Sequence, residues 1–414
     1  MRNFLYLLSP LALLSACNPA PPAESVSEPT DTNPLTDSLT ADLLEFQERG
    51  HINGFAVAIV DENKVLYQRG FGYADTHTQT PYTEHTVQNI ASISKTLIGI
   101  ALLKAQEMGK LKLDDPINDY LPYTVVNPHF PETPITIRHL TTHTSSIVDT
   151  DVYDEESYII SSRQHESEGR NQIKPDYFKP NSAQLPMATF LQNVLSKEGE
   201  WYSEEGFLER QPGTFFEYTN IGATLAAQVL EYATGEDYAA FTTKHILAPL
   251  HMKSSGWSFD AINFAQHSTM YSDSITELPF YSLVTYPDGG LLTSSADFSL
   301  YLQELIRGYA GQGTLLTKES YEAFYQKQMN DSHFEERDAE RIYNDEYDFG
   351  VFIGFSAQGY VGHTGGDPGV SSFLFFDEKK KIGRFLMINT DLNNQAGVDA
   401  FFGIWEKMKE YEDR

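Results

Sequence analysis

Three short groups of side chains in this sequence are capable of chemistry. The first is Ser92-Ile93-Ser94-Lys95, the one Ser-x-x-Lys in the chain. Residues three apart on a helix share a face, with Cβ atoms about 5–6 Å apart. A hydroxyl and an amine are thereby held side by side. A serine hydroxyl becomes a nucleophile only when a base takes its proton, and a lysine serves as that base only where burial or a neighbouring cation lowers its pKa. The second is Tyr218-Thr219-Asn220, the one Tyr-x-Asn. A phenol close to a lysine ammonium would have a lowered pKa and could act as a general base. The Asn220 amide can accept from an ammonium and donate to a substrate carbonyl. The third is Val361-Gly362-His363-Thr364-Gly365-Gly366, a strand with a glycine-rich end where another backbone or a ligand can come close. Each group also has a plain structural reading: a helix cap with a solvated lysine, a surface tyrosine with an asparagine cap, and a structural histidine on a strand.

The elements that must position these groups follow from periodicity. An apolar helix is expected from Ser92 to about Met108, ending at Gly109, with the free N–H groups of its first turn beside Ser92. A turn at Gln211-Pro212-Gly213 and a helix from Ile221 bracket Tyr218. Strand-like runs cluster at the two ends: residues 54–60 and 64–72, then 349–355, 359–363, 370–376 and 383–389. Helical patterns fill the middle at 137–142, 187–195, 221–234, 238–246 and 296–309, and one closes the chain at 398–411. The expected fold class is α+β: an antiparallel sheet from both chain ends (about 50–75 and 347–390), flanked by helices, with a mainly helical insertion over about 90–340. A site is then expected at the seam between sheet and insertion. Residues 148–210, rich in Asp, Glu, Ser and Tyr, lack clear periodicity over most of their length and read as a lid, a wall or a disordered segment.

Residues 1–16 read as an export signal. Arg2 is the positive region, and Phe4–Leu14 is apolar but too short to span a bilayer. The run Leu14-Ser15-Ala16-Cys17 resembles a bacterial lipoprotein signal, with Cys17, the single cysteine, as the lipid-bearing residue. Asn18 then favours the periplasmic face of the outer membrane over other parts of the cell envelope. Residues 17–36 hold five prolines and read as a tether, leaving 37–414 as the globular part. With no other cysteine, disulfide and thiol chemistry are excluded there. The formal charge of −29 argues against a nucleic-acid partner and against charge-driven binding to anionic membranes.

The order Ser-x-x-Lys, Tyr-x-Asn, His-x-Gly resembles the serine β-lactamase-like family, which includes class C β-lactamases, D-Ala-D-Ala carboxypeptidases, D-aminopeptidases and esterases. The likeness runs from about Thr40 to Lys409. It includes Gly70–Asp75, Gly109–Asp115, Ile135–Ser146, Pro249–Gly256, Pro287–Asp297 and Gly362–Ser372. It implies a β-lactamase/transpeptidase-like fold and an acyl-enzyme on Ser92. Lys95 would accept or relay the proton, Tyr218 would serve the leaving group and water, and Asn220 would orient Lys95 and the substrate. The N–H groups of Ser92 and Gly366 would form the oxyanion hole, with Thr364 and Gly365 lining the substrate strand. His363 stands where β-lactamases have lysine, which favours esters or D-amino-acid peptides over β-lactams, because histidine is mostly neutral near pH 7. Ser146 stands where the family usually has glycine. His139 and His143, with Asp149 or Asp151 nearby, have the spacing of a metal pair, but the resemblance gives these histidines structural roles and implies neither metal nor organic cofactor. The alternatives are a β-lactamase, and a non-catalytic penicillin- or peptidoglycan-binding lipoprotein.

Overall fold

The computed structural model describes residues 34–166 and 168–412. The signal read over 1–16, the lipidation site Cys17 and most of the tether lie outside the described residues. The last tether residues are helical, because a helix already begins at Pro34 and runs to Glu48.

The main sheet has eight strands in the order β3-β2-β1-β12-β11-β10-β9-β8. From the start of the chain come β1 (Gly54–Val60), β2 (Val65–Asp75) and β3 (Thr80–Pro81). From the end come β8 (Asp348–Phe349), β9 (Gly354–Phe355), β10 (Tyr360–Asp367), β11 (Val370–Asp377) and β12 (Gly383–Ile388). The two sets join where β1 pairs antiparallel with β12, Phe55 opposite Ile388 and Val60 opposite Gly383. Two ribbons lie in the insertion: β4 (Val87–Asn89) with β7 (Leu292–Ser294), and β5 (Tyr158–Ile160) with β6 (Tyr281–Leu283). The α+β architecture expected from the sequence is therefore observed.

β1 is apolar throughout because both faces of the sheet are covered. Phe55, Val57 and Ile59 pack with Leu39, Leu43 and Phe46 of the first helix and with Phe401, Ile404 and Trp405 of the closing helix, Gln395–Glu412. Ala56, Ala58 and Val60 face the insertion, in one core with Ile98 and Leu102 of the Lys95–Glu107 helix and Phe298 and Leu302 of the Ser295–Tyr309 helix. Each large apolar side chain so enclosed contributes about 1.5–3 kcal/mol of transfer free energy.

Several boundaries differ from expectation. Residues 349–355 form two short strands around a bend, where Phe352 takes a positive φ of 54°. The helical run over 238–246 changes to a π-turn at Thr243–Leu247. Residues 148–166 and 168–210 are built into the body: β5 pairs with β6, and the Met187–Leu195 helix buries Phe190 and Leu191. The Arg170 guanidinium bridges Asp75 at 2.7 Å and Glu277 at 2.9 Å. Among the described residues no helix is long and apolar enough to cross a membrane.

Candidate active site

Ser92 lies in a 3-10 turn, Ala91–Ser94, one turn before the α-helix that starts at Lys95. The tetrad is thus the entry to the helix and not its first α-turn. Ala91 holds φ at 51°, in the left-handed region that costs a non-glycine residue about 1–3 kcal/mol and recurs at functional sites.

The Lys95 side chain is fully enclosed. Its ammonium donates to Ser92 Oγ at 2.9 Å, to Asn220 Oδ1 at 2.7 Å and to the Asp288 carbonyl at 2.8 Å. Three N–H bonds meet three acceptors, which is what a buried charge requires. Burial pushes the Lys95 pKa down, while the Asp288, Asp149 and Asp367 carboxylates push back; the net direction is down.

Tyr218 stands beside this group, with Lys95 Nζ 5.2 Å from its ring centre. Its hydroxyl is buried and has no hydrogen-bond partner among the described residues. Burial raises its pKa well above the ordinary tyrosine value; the nearby Ser92 hydroxyl opposes this, though no well-formed hydrogen bond joins the two. This corrects the expectation of a lowered phenol pKa: desolvation dominates, and the Asp345, Asp288 and Glu346 carboxylates add to it.

Thr219 caps the Asn220–Thr234 helix, its hydroxyl accepting from Gly222 N. Asn220 is therefore the first helical residue and not the cap. His143 lies flat against Tyr218, ring centres 4.4 Å apart, and its Nδ1 accepts from Thr219 N. His139 closes a capping box with Thr136. Both histidines are structural, and among the described residues no group of three or more metal-ligating side chains is gathered. Ser146, in place of glycine, holds φ at 65°, and its hydroxyl accepts from Asn127 Nδ2 at 2.8 Å.

The glycine-rich strand closes the site. β10 pairs with β9 only through Val361 and Gly362, so His363–Asp367 form an open edge beside the Ser92 turn. At Gly365 a Cβ would lie 2.4 Å from Ser372 Oγ and 2.5 Å from the Ile90 carbonyl, so only glycine permits this approach. Thr364 gives both its N–H and its hydroxyl hydrogen to Asp345 Oδ2, at 2.6 and 2.9 Å. By the alternation of an antiparallel ladder, the Gly366 N–H points out of the same open edge as the Thr364 N–H.

His363 is buried, and its Nδ1 lies 2.6 Å from the Thr364 carbonyl, which can only accept. Nδ1 therefore carries the proton, and in the neutral ring Nε2 is a bare acceptor. Nε2 has no partner among the described residues. Burial lowers the His363 pKa; Asp345, 3.5 Å from Nδ1, opposes this, and Lys95 adds to it.

Ser92, Lys95, Tyr218 and Asn220 thus meet around one point, with His363 beside Tyr218, their ring centres 6.2 Å apart. Sequence reasoning missed Asp288, Asp345 and the place of Asp149, which contacts Asn220 from 71 residues away. Only the run Pro287–Asp297, quoted for its likeness, hinted at Asp288.

Fold and site together define a β-lactamase/transpeptidase-like protein. A family model described as Beta-lactamase matches residues 39–408, and the chain belongs to that family. Protein flp of Staphylococcus aureus (strain NCTC 8325 / PS 47) is 26% identical over 262 residues, covering 62% of this chain and 46% of that protein. The chain thus spans about half the length of the curated relatives it matches. D-amino acid amidase from Ochrobactrum anthropi SV3, solved with L-phenylalanine, superposes with a TM-score of 0.66 at 19% identity, covering 91% of this chain and 99% of that one. Beta-lactamase/D-alanine carboxypeptidase from Yersinia pestis gives 0.66 at 19% identity, covering 91% and 98%. These two likenesses show the fold.

Proposed function

We propose that the protein is a serine hydrolase that forms an acyl-enzyme on Ser92 with an ester or amide. The observation that carries this is the enclosed Lys95 amine, 2.9 Å from Ser92 Oγ. In its neutral form, which burial favours, Lys95 takes the Ser92 proton as Oγ attacks the carbonyl. The N–H groups of Ser92 and Gly366 receive the oxyanion. Tyr218, held as a neutral phenol, gives its proton to the leaving oxygen or nitrogen and regains one from the Lys95 ammonium. Water then loses a proton to the free amine, its oxygen attacks the acyl carbon, and Ser92 departs with the proton returned from Lys95. Every proton is restored at the end of the cycle.

The substrate reading rests on His363. A buried, neutral imidazole offers no cation to a drug's carboxylate. Small esters and D-amino-acid peptides of the peptidoglycan type fit it better than β-lactams. The names of the two fold relatives, an amidase and a beta-lactamase/D-alanine carboxypeptidase, support an acyl-transfer reading. We also propose that Cys17 carries a lipid that holds the protein at the bacterial envelope.

Labelling with a fluorophosphonate and a fluorescent penicillin tests the assignment. Wild type is expected to label with the fluorophosphonate, and Ser92→Ala is not. Equal labelling of the two proteins, or none of either, would overturn it. Labelling without turnover of any ester, D-Ala-D-Ala peptide or cephalosporin would point to a binding protein instead.

A further inference from the structure

Asp149 has no part in the chemistry above, yet its carboxylate is the most heavily bonded group at the site. Oδ2 accepts from Asn220 N at 2.7 Å and from Asn220 Nδ2 at 2.9 Å. Oδ1 accepts from Ile221 N at 2.9 Å and from the Thr219 hydroxyl at 2.8 Å. Two of the unpaired N–H groups that open the Asn220–Thr234 helix are thus satisfied by a residue outside the helix, and a carboxylate there is favoured by the helix dipole.

Capping accounts for the two backbone bonds and for the Thr219 hydroxyl. It does not account for the bond to Asn220 Nδ2. An ionised carboxylate only accepts, so it faces the NH2 of the amide and never the oxygen. Asn220 Oδ1 is then turned the other way, onto Lys95 Nζ at 2.7 Å. With the amide flipped, two donors would face each other and the ammonium would lose one of its three acceptors. One Nδ2 hydrogen also goes to Asp149, so Asn220 keeps a single N–H for a substrate.

We propose that Asp149 is a positioning residue of this site: its carboxylate fixes the Asn220 amide with Oδ1 toward Lys95, and so sets where the ammonium stands relative to Ser92. This rests on the hydrolase reading above. The same negative charge also favours the protonated amine. The charged and titratable groups around Lys95 are Asp288, Asp149, Asp367, His363, His143 and Tyr218. Removing one carboxylate from that set shifts the amine toward its neutral form.

The test compares Asp149→Asn with Thr219→Val, which removes the cap hydroxyl but leaves the Asp149 charge. Three readouts are followed across pH: the fluorophosphonate labelling rate of Ser92, the melting temperature, and the 13Cε lysine NMR titration of Lys95. Asp149→Asn is expected to label about tenfold more slowly or worse, as loss of reactive geometry predicts. Its Lys95 midpoint moves to lower pH. Thr219→Val is expected to melt earlier with the midpoint in place. If Asp149→Asn keeps the wild-type midpoint and loses no more labelling than Thr219→Val, Asp149 is a cap alone and the proposal falls. If Asp149→Asn does not fold, Asp149→Glu keeps the charge but displaces it by one methylene. It should label slowly with a near-native midpoint, and wild-type labelling would overturn the proposal. The NMR titration needs no turnover, so it judges Asp149 even if wild type fails to label, an outcome that sinks the hydrolase reading instead.

Discussion

All three protons of the Lys95 ammonium are given to acceptors, so in that state it supports Ser92 and cannot deprotonate it. Labelling of Ser92 should therefore rise with pH through the Lys95 midpoint, which burial holds below the ordinary lysine value. Lys95→Ala should lower the rate by about 10²–10⁴-fold, the usual reach of general-base catalysis; a variant labelling near the wild-type rate would remove the lysine from the scheme. Beneath it, Asp288 is held by the Tyr153 and Thr224 hydroxyls and Asp367 by the Tyr158 hydroxyl and Asn89. Burial pushes their pKa values up to about 6 and about 7. The folded chain therefore binds more protons than the unfolded one, in which a carboxyl titrates at about 3.9. Their stabilising effect is complete below that value and is lost as pH rises through the folded values. The stability gap between wild type and Asp288→Asn/Asp367→Asn should change between pH ~4 and ~8. A melting-temperature difference constant with pH would contradict it.

At the scale of elements, the site depends on how closely β10 passes the Ser92 turn. Gly365→Ala puts a methyl into the Ile90 carbonyl and Ser372, and should cost about 1–3 kcal/mol together with labelling activity. Gly366→Ala meets nothing within 4 Å and keeps its N–H, so it should melt like wild type. Equal melting of the two variants would refute this account of the strand. The motifs were legible because their information is local: a spacing of three, a glycine run on a strand, a turn before a helix. Asp149, Asp288 and Asp345 were not legible, since they reach Asn220, Lys95 and Thr364 across 71, 193 and 19 residues, Asp288 through its main-chain carbonyl and the other two through their carboxylates. The Pro34–Glu48 helix went unread because its first turns share the Pro, Thr and Asp content of the tether before it, and its apolar side is visible only against Trp405. The strands at 349–355 were read as one because Phe352 gives no sign in sequence of its left-handed bend.

For the whole molecule, the alternation of end strands and middle helices was enough to fix the α+β class, and the run of family-like segments matches the 39–408 span of the family model. How the insertion folds over the sheet was beyond that reading, because residues 148–210 have little periodicity of their own and Arg170 within them is held by distant partners, Asp75 and Glu277. The proposed lipid attachment at Cys17 belongs to this scale too. Cys17→Ala should move the protein from the membrane fraction to the soluble fraction with Ser92 labelling unchanged. Retention in the membrane pellet would remove the lipoprotein reading.

The pairing of β1 with β12 also governs the order in which the molecule can be made. Gly54 N–H bonds to the side chain of Asn389, 335 residues later, so β1 waits for a strand made long after it. Such distant contacts close late and fold slowly. Until then GFAVAIV is an apolar strand with an open edge, the kind of segment that recruits other chains. Nascent chains halted before residue 383 should stay protease-sensitive and prone to aggregate, and those released after Ile388 should become resistant. Resistance of the shorter chains would show that the helical insertion folds alone. Otherwise the nucleophile, though translated long before β12, has no finished site until that strand has been made.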